Sequence, residues 1–449
     1  MSIMKKRALN YVIRGTIILT LTGGITRFIG FYNRIFLSNL IGAKELGIYQ
    51  LILPLYMVVF SFTSFGNELA LTKLVAEYIG RKDYASSFSL LRICIFINLF
   101  LSVFSSFIIC KNANWICLHI LNAVGCEQAL RIICLAFPFM AIKAAYHGFF
   151  LGLKKPEVHG FSDLMEQSAK VFGVMIFAYI LFRGSNYNVN FAIWGIVLGE
   201  FVGFLYTFIY YLRYRNSIQI TTTSVYYKTL IKLFIKDTIP LSLNRFVLTV
   251  LQSMESILIP SVLLSYYQDS YKSLSIYGIF SGMAFPFIMF PATVTNSLST
   301  MLLPAVSNTK STLNYSYLKK LCQKSFCFSF CIGILSFVVF YFFGYSIGVF
   351  FFKTKEAGIF LYRLSFLCPF IYTATTLASI LNGLGCASYN LFVTILSIII
   401  RISFIIYSIP KTGMNGYLYG LLCSYTFLTI AYLLHLRKKI IYKVPQQPR

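Results

Sequence analysis

Acidic side chains are what this 449-residue sequence most lacks: 13 Asp and Glu stand against 39 Lys and Arg, a formal net charge of +26. Charge of either sign is scarce, at 12% of residues against roughly 25% in ordinary soluble proteins. That scarcity excludes a soluble enzyme and a disordered chain. Long polar stretches are missing too. The longest loop, near 213–237, is too short for a domain of its own, and basic nucleic-acid binders carry their Lys and Arg in polar sequence, so nucleic acid is not an expected partner. There is no Gly-rich loop ending in Lys-Ser/Thr, which argues against ATP hydrolysis. There is no His-Glu-x-x-His and no Cys-x-x-Cys, and the four His (His119, His147, His159, His435) are scattered, so structural roles are expected for them and neither a metal nor a cofactor is. The 11 Cys fall mainly inside apolar runs, as small buried hydrophobes do, although Cys117 and Cys126 share one loop and could pair. The outer loops hold single acids (Glu45, Glu127, Asp269, Glu356) where membrane catalysis would want a pair, so the chain is not read as an enzyme.

What is abundant is apolar sequence, 58% of residues. A membrane helix needs about 20 mostly apolar residues. About twelve such spans are expected, near 14–38, 47–66, 87–110, 129–151, 161–182, 191–212, 238–264, 274–302, 322–351, 359–382, 389–409 and 415–436, the eighth either one long helix or a broken one. Pro54, Pro138, Pro240, Pro286 and Pro369 lie inside spans, where neighbouring helices can satisfy the freed carbonyls. Basic residues in short loops set orientation. Lys5, Lys6, Arg7 and Arg14 precede or open the first span, and alternate loops collect Arg81, Lys82, Lys154, Lys155, Arg213, Arg215, Lys228, Lys232, Lys236, Lys310, Lys319, Lys320 and Lys324. The opposite loops hold fewer: Lys44, Lys111, Arg183, Lys272, Lys353, Lys355 and Lys411. With Arg437, Lys438, Lys439, Lys443 and Arg449 at the tail, both termini are expected in the cytoplasm of a multi-pass cell-membrane protein. The first apolar stretch is long and carries two arginines, unlike a cleaved signal peptide.

The chain also repeats itself. Leu46-Gly47-Ile48-Tyr49 returns as Leu274-Ser275-Ile276-Tyr277. Pro138-Phe139, Gly152-Leu153 and Lys170 return 231 residues later as Pro369-Phe370, Gly383-Leu384 and Arg401, while Gly195 and Gly199 match Gly416 and Gly420 at a smaller offset. Six spans per copy is an even number, so the copies run parallel. The expected organisation is an all-α polytopic membrane protein with two parallel six-helix lobes, residues 1–225 and 226–449. Secondary transporters are often built this way.

An ionisable residue deep in a span costs at least about 2.5–3.5 kcal/mol and usually meets a partner or a wet cavity. In span one Gly23, Arg27, Gly30 and Arg34 share a helical face, with Arg27 near mid-depth and Arg34 near the outer surface. Span five carries Asp163, Glu166 and Lys170 on one face, and Glu166 and Lys170 have the spacing of an internal ion pair. Span seven has Arg245, Thr249, Gln252 and Ser256 in a stripe with Glu255 at its border; Arg401 stands in span eleven with no acid within helical reach. Lys143 and Glu200 complete the set. Deep cations slightly outnumber deep acids, a balance that suits an anionic headgroup such as a diphosphate.

The runs Gly15-Thr16-Ile17-Ile18-Leu19-Thr20, Thr26-Arg27-Phe28-Ile29-Gly30-Phe31-Tyr32-Asn33-Arg34-Ile35-Phe36-Leu37-Ser38 and Ile41-Gly42-Ala43-Lys44-Glu45-Leu46-Gly47-Ile48-Tyr49-Gln50-Leu51 resemble the stage V sporulation protein B family. These are polysaccharide-biosynthesis flippases of the multidrug/oligosaccharidyl-lipid/polysaccharide exporter superfamily. Lys73-Leu74-Val75-Ala76-Glu77 is similar to the family's segment after span two, and Met254-Glu255-Ser256-Ile257-Leu258-Ile259-Pro260 to its span-seven segment, with Glu255 where the family commonly has Asp. Glu68 departs from the Pro-containing apolar run usual there. The resemblance implies two lobes forming a V, alternately open to each side, and movement of an undecaprenyl-diphosphate-linked sugar, such as lipid II, from the inner to the outer leaflet. It also implies Arg27 and Arg34 as the first substrate contacts, with Arg245, Lys170 and Arg401 behind them. Transport of this kind needs an ion gradient or membrane potential, for which Glu166, Glu200 and Glu255 are the candidate carboxylates of a coupling cation. The expected partners are the lipid-linked oligosaccharide and membrane lipids, with the protein a monomer. A cation-coupled multidrug exporter and a non-transporting scaffold for cell-wall enzymes are the alternatives.

Overall fold

The computed structural model describes residues 2–81, 83–123, 125–178, 188–217, 227–311 and 315–441. Lys82, Arg183, Lys443, Arg449 and the expected lobe boundary at 225/226 lie outside the described residues, as do the side chains of Lys5, Lys6, Arg7, Arg14, Pro240 and Lys310. Every regular element among the described residues is helical.

Helix α1 runs over Ser2–Phe60, bent at Gly42. A π-helical turn, Ser61–Phe65, joins it to α2, Gly66–Gly80. Then follow α3 (Tyr84–Lys111), α4 (Glu127–Cys134), α5 (Ala136–Gly152), α6 (Pro156–Ile176), α7 (Val189–Asn216) and α8 (Tyr227–Tyr267). The remaining long helices are α9 (Ser270–Gly278), α10 (Ala292–Ser311), α11 (Tyr315–Phe352), α12 (Lys355–Leu364), α13 (Cys368–Gly383), α14 (Ala387–Tyr407) and α15 (Met414–Ile441).

Nine of the described helical stretches are long and apolar enough to cross a membrane. The first of these, Leu21–Gly80, is 60 residues long, or about 90 Å at 1.5 Å per residue, enough for the two expected spans. The expected span at 274–302 is a broken one, bent by 60° between Ile288 and Ala292. Pro156–Ile176 is a further 21-residue helix, kept out of the nine by its charged stripe. The chain is thus an all-α, multi-pass membrane protein. One expected boundary holds and one changes. Spans one and two are separate helices that meet at Gly42, inside the expected 39–46 connection, where a non-helical φ of 77° and ψ of 176° is open to glycine at little cost. Span two continues past 66 to Gly80, where Lys73 pairs with Asp237 and Glu77 with Arg81.

Two compact units result. Met1–Ile41 with Ile48–Ser253 form the first, and Gly42–Gly47 with Met254–Arg449 the second. In the first, Leu71, Leu74, Phe88, Leu91, Phe149, Phe150 and Phe234 pack a core contributed by α2, α3, α5 and α8. In the second, Leu302, Leu318, Leu377, Leu381, Val393 and Tyr432 do the same for α10, α11, α13, α14 and α15. Between apolar helices in lipid there is little hydrophobic drive, so close approach depends on small residues. Gly195, Gly199 and Gly203 form a four-residue repeat on α7, and a side chain at Gly199 or Gly195 would come within 2.9 Å of the Glu166 or Lys170 carbonyl of α6. In the second unit Gly416 and Gly420 of α15 meet Ser408 and Phe404 at the end of α14 in the same way. The repeated glycines of the sequence therefore do one job twice, once per unit.

Candidate functional site

The α6–α7 contact draws charge into the first unit. With no side chain at Gly203, the Lys143 chain of α5 passes through the vacant space, its Cδ 3.2 Å from where a Cβ would stand, and the Glu166 Cβ lies at 3.3 Å. Lys143 Nζ, on a side chain only 9% exposed, pairs with Glu166 and lies 2.6 Å from Glu200 Oε2. The Tyr56 hydroxyl, from α1, donates to the other Glu200 oxygen. One ammonium faces two carboxylates, so the cluster holds one negative charge in excess when all three are ionised. The ion pair suggested by the spacing of Glu166 and Lys170 is not the one formed: Lys143, 23 residues earlier, takes Glu166, because α5 crosses α6 there.

The second unit holds a different arrangement. Arg401 of α14 grips Glu255 of α8 with both edges of its fork, Nε to Oε1 at 2.5 Å and Nη2 to Oε2 at 2.9 Å. Tyr417 donates to Glu255 Oε1 at 2.8 Å and Arg401 Nη1 donates to Ser397 at 3.3 Å. The Tyr425 ring lies 5.6 Å from the guanidinium. Charge and hydrogen bonding are both satisfied, so this is a closed neutral pair. Glu255 is the acid that helical reach along α14 does not supply to Arg401.

The other four candidate cations, Arg27, Arg34, Lys170 and Arg245, all belong to the first unit, and none of them is ion-paired with an acid among the described residues. Arg27 is exposed and Arg34 half-buried. Their helix borders α6: Thr22 lies against Gly160, and a Cβ on Gly30 would stand 3.1 Å from Gln167 Nε2. Lys170 sits 5.9 Å from the Tyr49 ring, and exposed Arg245 lies 5.1 Å from that of Phe65. Along the polar stripe of α8 exposure alternates, with Arg245 and Gln252 exposed while Thr249 and Glu255 are buried. Tyr56 and Tyr417, the hydroxyl donors of the two clusters, carry no sequence signal that separates them from the other tyrosines, of which the chain has 32. Cys117 and Cys126 are joined in a disulfide.

A family model described as polysaccharide biosynthesis protein matches residues 12–310. Stage V sporulation protein B of Bacillus subtilis (strain 168) is 26% identical over 300 residues, which span 66% of this chain and 58% of that protein. Lipid II flippase MurJ of the same organism is 23% identical over 219 residues, 46% of this chain and 40% of that one. Each match thus covers less than two thirds of the relative's own length. Among solved structures, an inward-facing multidrug resistance MATE family transporter of the MOP superfamily shares the fold, with a TM-score of 0.77 at 15% identity over 95% of this chain and 98% of that one.

Proposed function

Since the chain belongs to the polysaccharide biosynthesis protein family, we propose that it is a flippase that moves an undecaprenyl-diphosphate-linked sugar, lipid II or another glycan precursor, from the inner to the outer leaflet by alternating access. The observation that carries this reading is the division of its deep cations. Lys143 and Arg401 are buried against carboxylates, while Arg27, Arg34, Lys170 and Arg245 of the first unit keep their charge for something else. A diphosphate offers oxygens that an arginine fork can grip in pairs, and Arg27 with Arg34 on one helical face are its first contacts. Lys170 and Arg245 assist them. Arg401, closed by Glu255 in the second unit, is part of a fixed neutral pair.

Energy comes from an ion gradient or the membrane potential. The Lys143–Glu166–Glu200 cluster is the better candidate for coupling, because its surplus negative charge calls for a proton or a monovalent cation, whereas Glu255 already has its counter-charge. The protein acts as a monomeric transporter in the cell membrane, with residues 1–225 and 226–449 as its lobes. Its basic loops face the cytoplasm and anionic lipid. The Cys117–Cys126 disulfide supports placing its loop on the opposite, oxidising side.

Deleting the gene tests the reading in cells: one undecaprenyl-linked precursor should accumulate, and restoring the wild-type chain should clear it. The MATE-type fold also supports a second reading, a cation-coupled drug exporter. Sensitivity to cationic dyes on deletion, with no precursor accumulating, would favour that one.

A further inference from the structure

Three side chains of the first unit converge beside the Lys143 cluster, with His147 one turn beyond Lys143 on α5. Glu68 of α2, His147 of α5 and His159 of α6 each present one donor atom, and the three atoms lie within 4.8 Å of one another. The two imidazole rings face each other with centroids 4.2 Å apart, and His159 Nε2 lies 3.9 Å from Glu68 Oε1. His147 is 4% exposed, and its Nε2 has no hydrogen-bond partner. An orphaned ring nitrogen at that depth forgoes a hydrogen bond that water would otherwise supply. On its far side His159 turns Nδ1 towards Asp163 Oδ2, 3.4 Å away but without a formed hydrogen bond.

We propose that Glu68, His147 and His159 form a binding site for one divalent first-row transition metal ion, with zinc the ion best suited to it. Two imidazole nitrogens and one carboxylate oxygen are a zinc donor set; magnesium and calcium prefer oxygen alone. Tetrahedral ligand atoms about 2.0–2.1 Å from zinc stand about 3.3 Å apart, so binding would draw the donors, now within 4.8 Å of one another, inward by up to about 1.5 Å. Asp163 holds the position of the carboxylate that commonly receives the second ring N–H of a metal-bound histidine and fixes its tautomer. Charge supports the assignment as well, because the two carboxylates of Glu68 and Asp163 balance a divalent ion. A proton shared by His159, Glu68 and Asp163 would explain those three groups and leave the buried His147 Nε2 unmatched.

The scaffold holds the donors in place. A Cβ on Gly148 would fall 2.6 Å from the Glu68 carbonyl oxygen, and Thr72 Oγ1 donates to the Gly148 carbonyl at 3.1 Å, so α2 and α5 are in close contact beside His147. His159 and Asp163 remain 28% and 39% exposed, which leaves a path for entry and a fourth position for water. The ion would tie α2, α5 and α6 together.

The test uses the full chain, purified in detergent without a polyhistidine tag. After loading with zinc and desalting against a weak chelator, wild type should retain about one zinc per chain by elemental analysis. His147→Gln and His159→Gln should retain less than about a tenth of that, and His119→Gln and His435→Gln should match wild type. Asp163→Asn should still bind, with affinity about 10–100-fold weaker. Cobalt(II) added to wild type alone should give the visible absorption of a low-coordinate nitrogen and oxygen site, which needs no variant to fold. Absence of retained zinc and of that absorption in wild type overturns the proposal, and so does equal retention by well-folded His147→Gln and His159→Gln. Either result holds whatever the chain transports.

Discussion

Arg401 and Glu255 show how much of a buried charge's meaning depends on a residue far away in sequence. The two lie 146 positions apart, and periodicity along α14 reveals only the deep cation, not its partner on α8. Removing one member leaves the other buried and uncompensated, so Arg401→Ala and Glu255→Ala should each destabilise the protein by about 3–5 kcal/mol. Replacing both with Met restores neutrality and volume and should recover most of that loss; unfolding in detergent measures all three. If the single changes leave stability as it was, the pair is not formed as described. The Lys143 cluster has the opposite excess. Glu200→Gln removes the surplus charge while keeping a partner for Tyr56, so folding should survive it. Stimulation of transport by an imposed ion gradient should fall by at least about tenfold, and an unchanged response would remove the cluster from coupling. At this scale the sequence showed which side chains were out of place in lipid. It could not show that Glu166 goes to Lys143 and not to Lys170, because that choice is made by α5 crossing α6.

Helices were the most legible level, since an apolar run of span length has few alternatives in a bilayer. What the sequence blurred was their ends. Gly42 breaks the chain inside the connection expected between spans one and two, reducing it to a single non-helical residue, while the π-helical turn at Ser61–Phe65 carries span two past the stop expected at 66. The 60° break after Ile288 depends on backbone geometry around Phe290–Pro291 that hydropathy does not report. The repeated glycines were readable as a register, and their use is now plain. Gly199→Leu should drive α7 away from the Glu166 carbonyl and cost about 1–3 kcal/mol or more through overpacking. Gly23, also helical, has nothing within 4 Å of where a Cβ would stand. Gly23→Ala should therefore be neutral or stabilising by about 0.5–1 kcal/mol. Comparing apparent unfolding midpoints of the two variants checks the pair, and equal effects would contradict the packing described.

For the molecule as a whole, the net charge of +26 says less about substrate than the few cations left without acids. Most of the surplus sits in loops and tail, and in the proposed topology it concerns orientation and anionic lipid. The family and the all-α membrane fold were both legible, from the first-span motif and from composition and repeat. The metal-type cluster was not, because His147 and His159 lie on either side of a helix turn and join Glu68 only after α2, α5 and α6 pack. The central claim is that the first unit's unpaired cations hold a lipid-linked diphosphate during its passage across the membrane. Its most direct test is reconstitution into liposomes, with lipid II exposure on the opposite leaflet scored for wild type and for Arg27→Ala. The account predicts flipping by wild type and a loss of at least about tenfold in Arg27→Ala with unchanged folding. No flipping of lipid II or any other undecaprenyl-diphosphate-linked glycan by wild type, or full activity in Arg27→Ala, would contradict it.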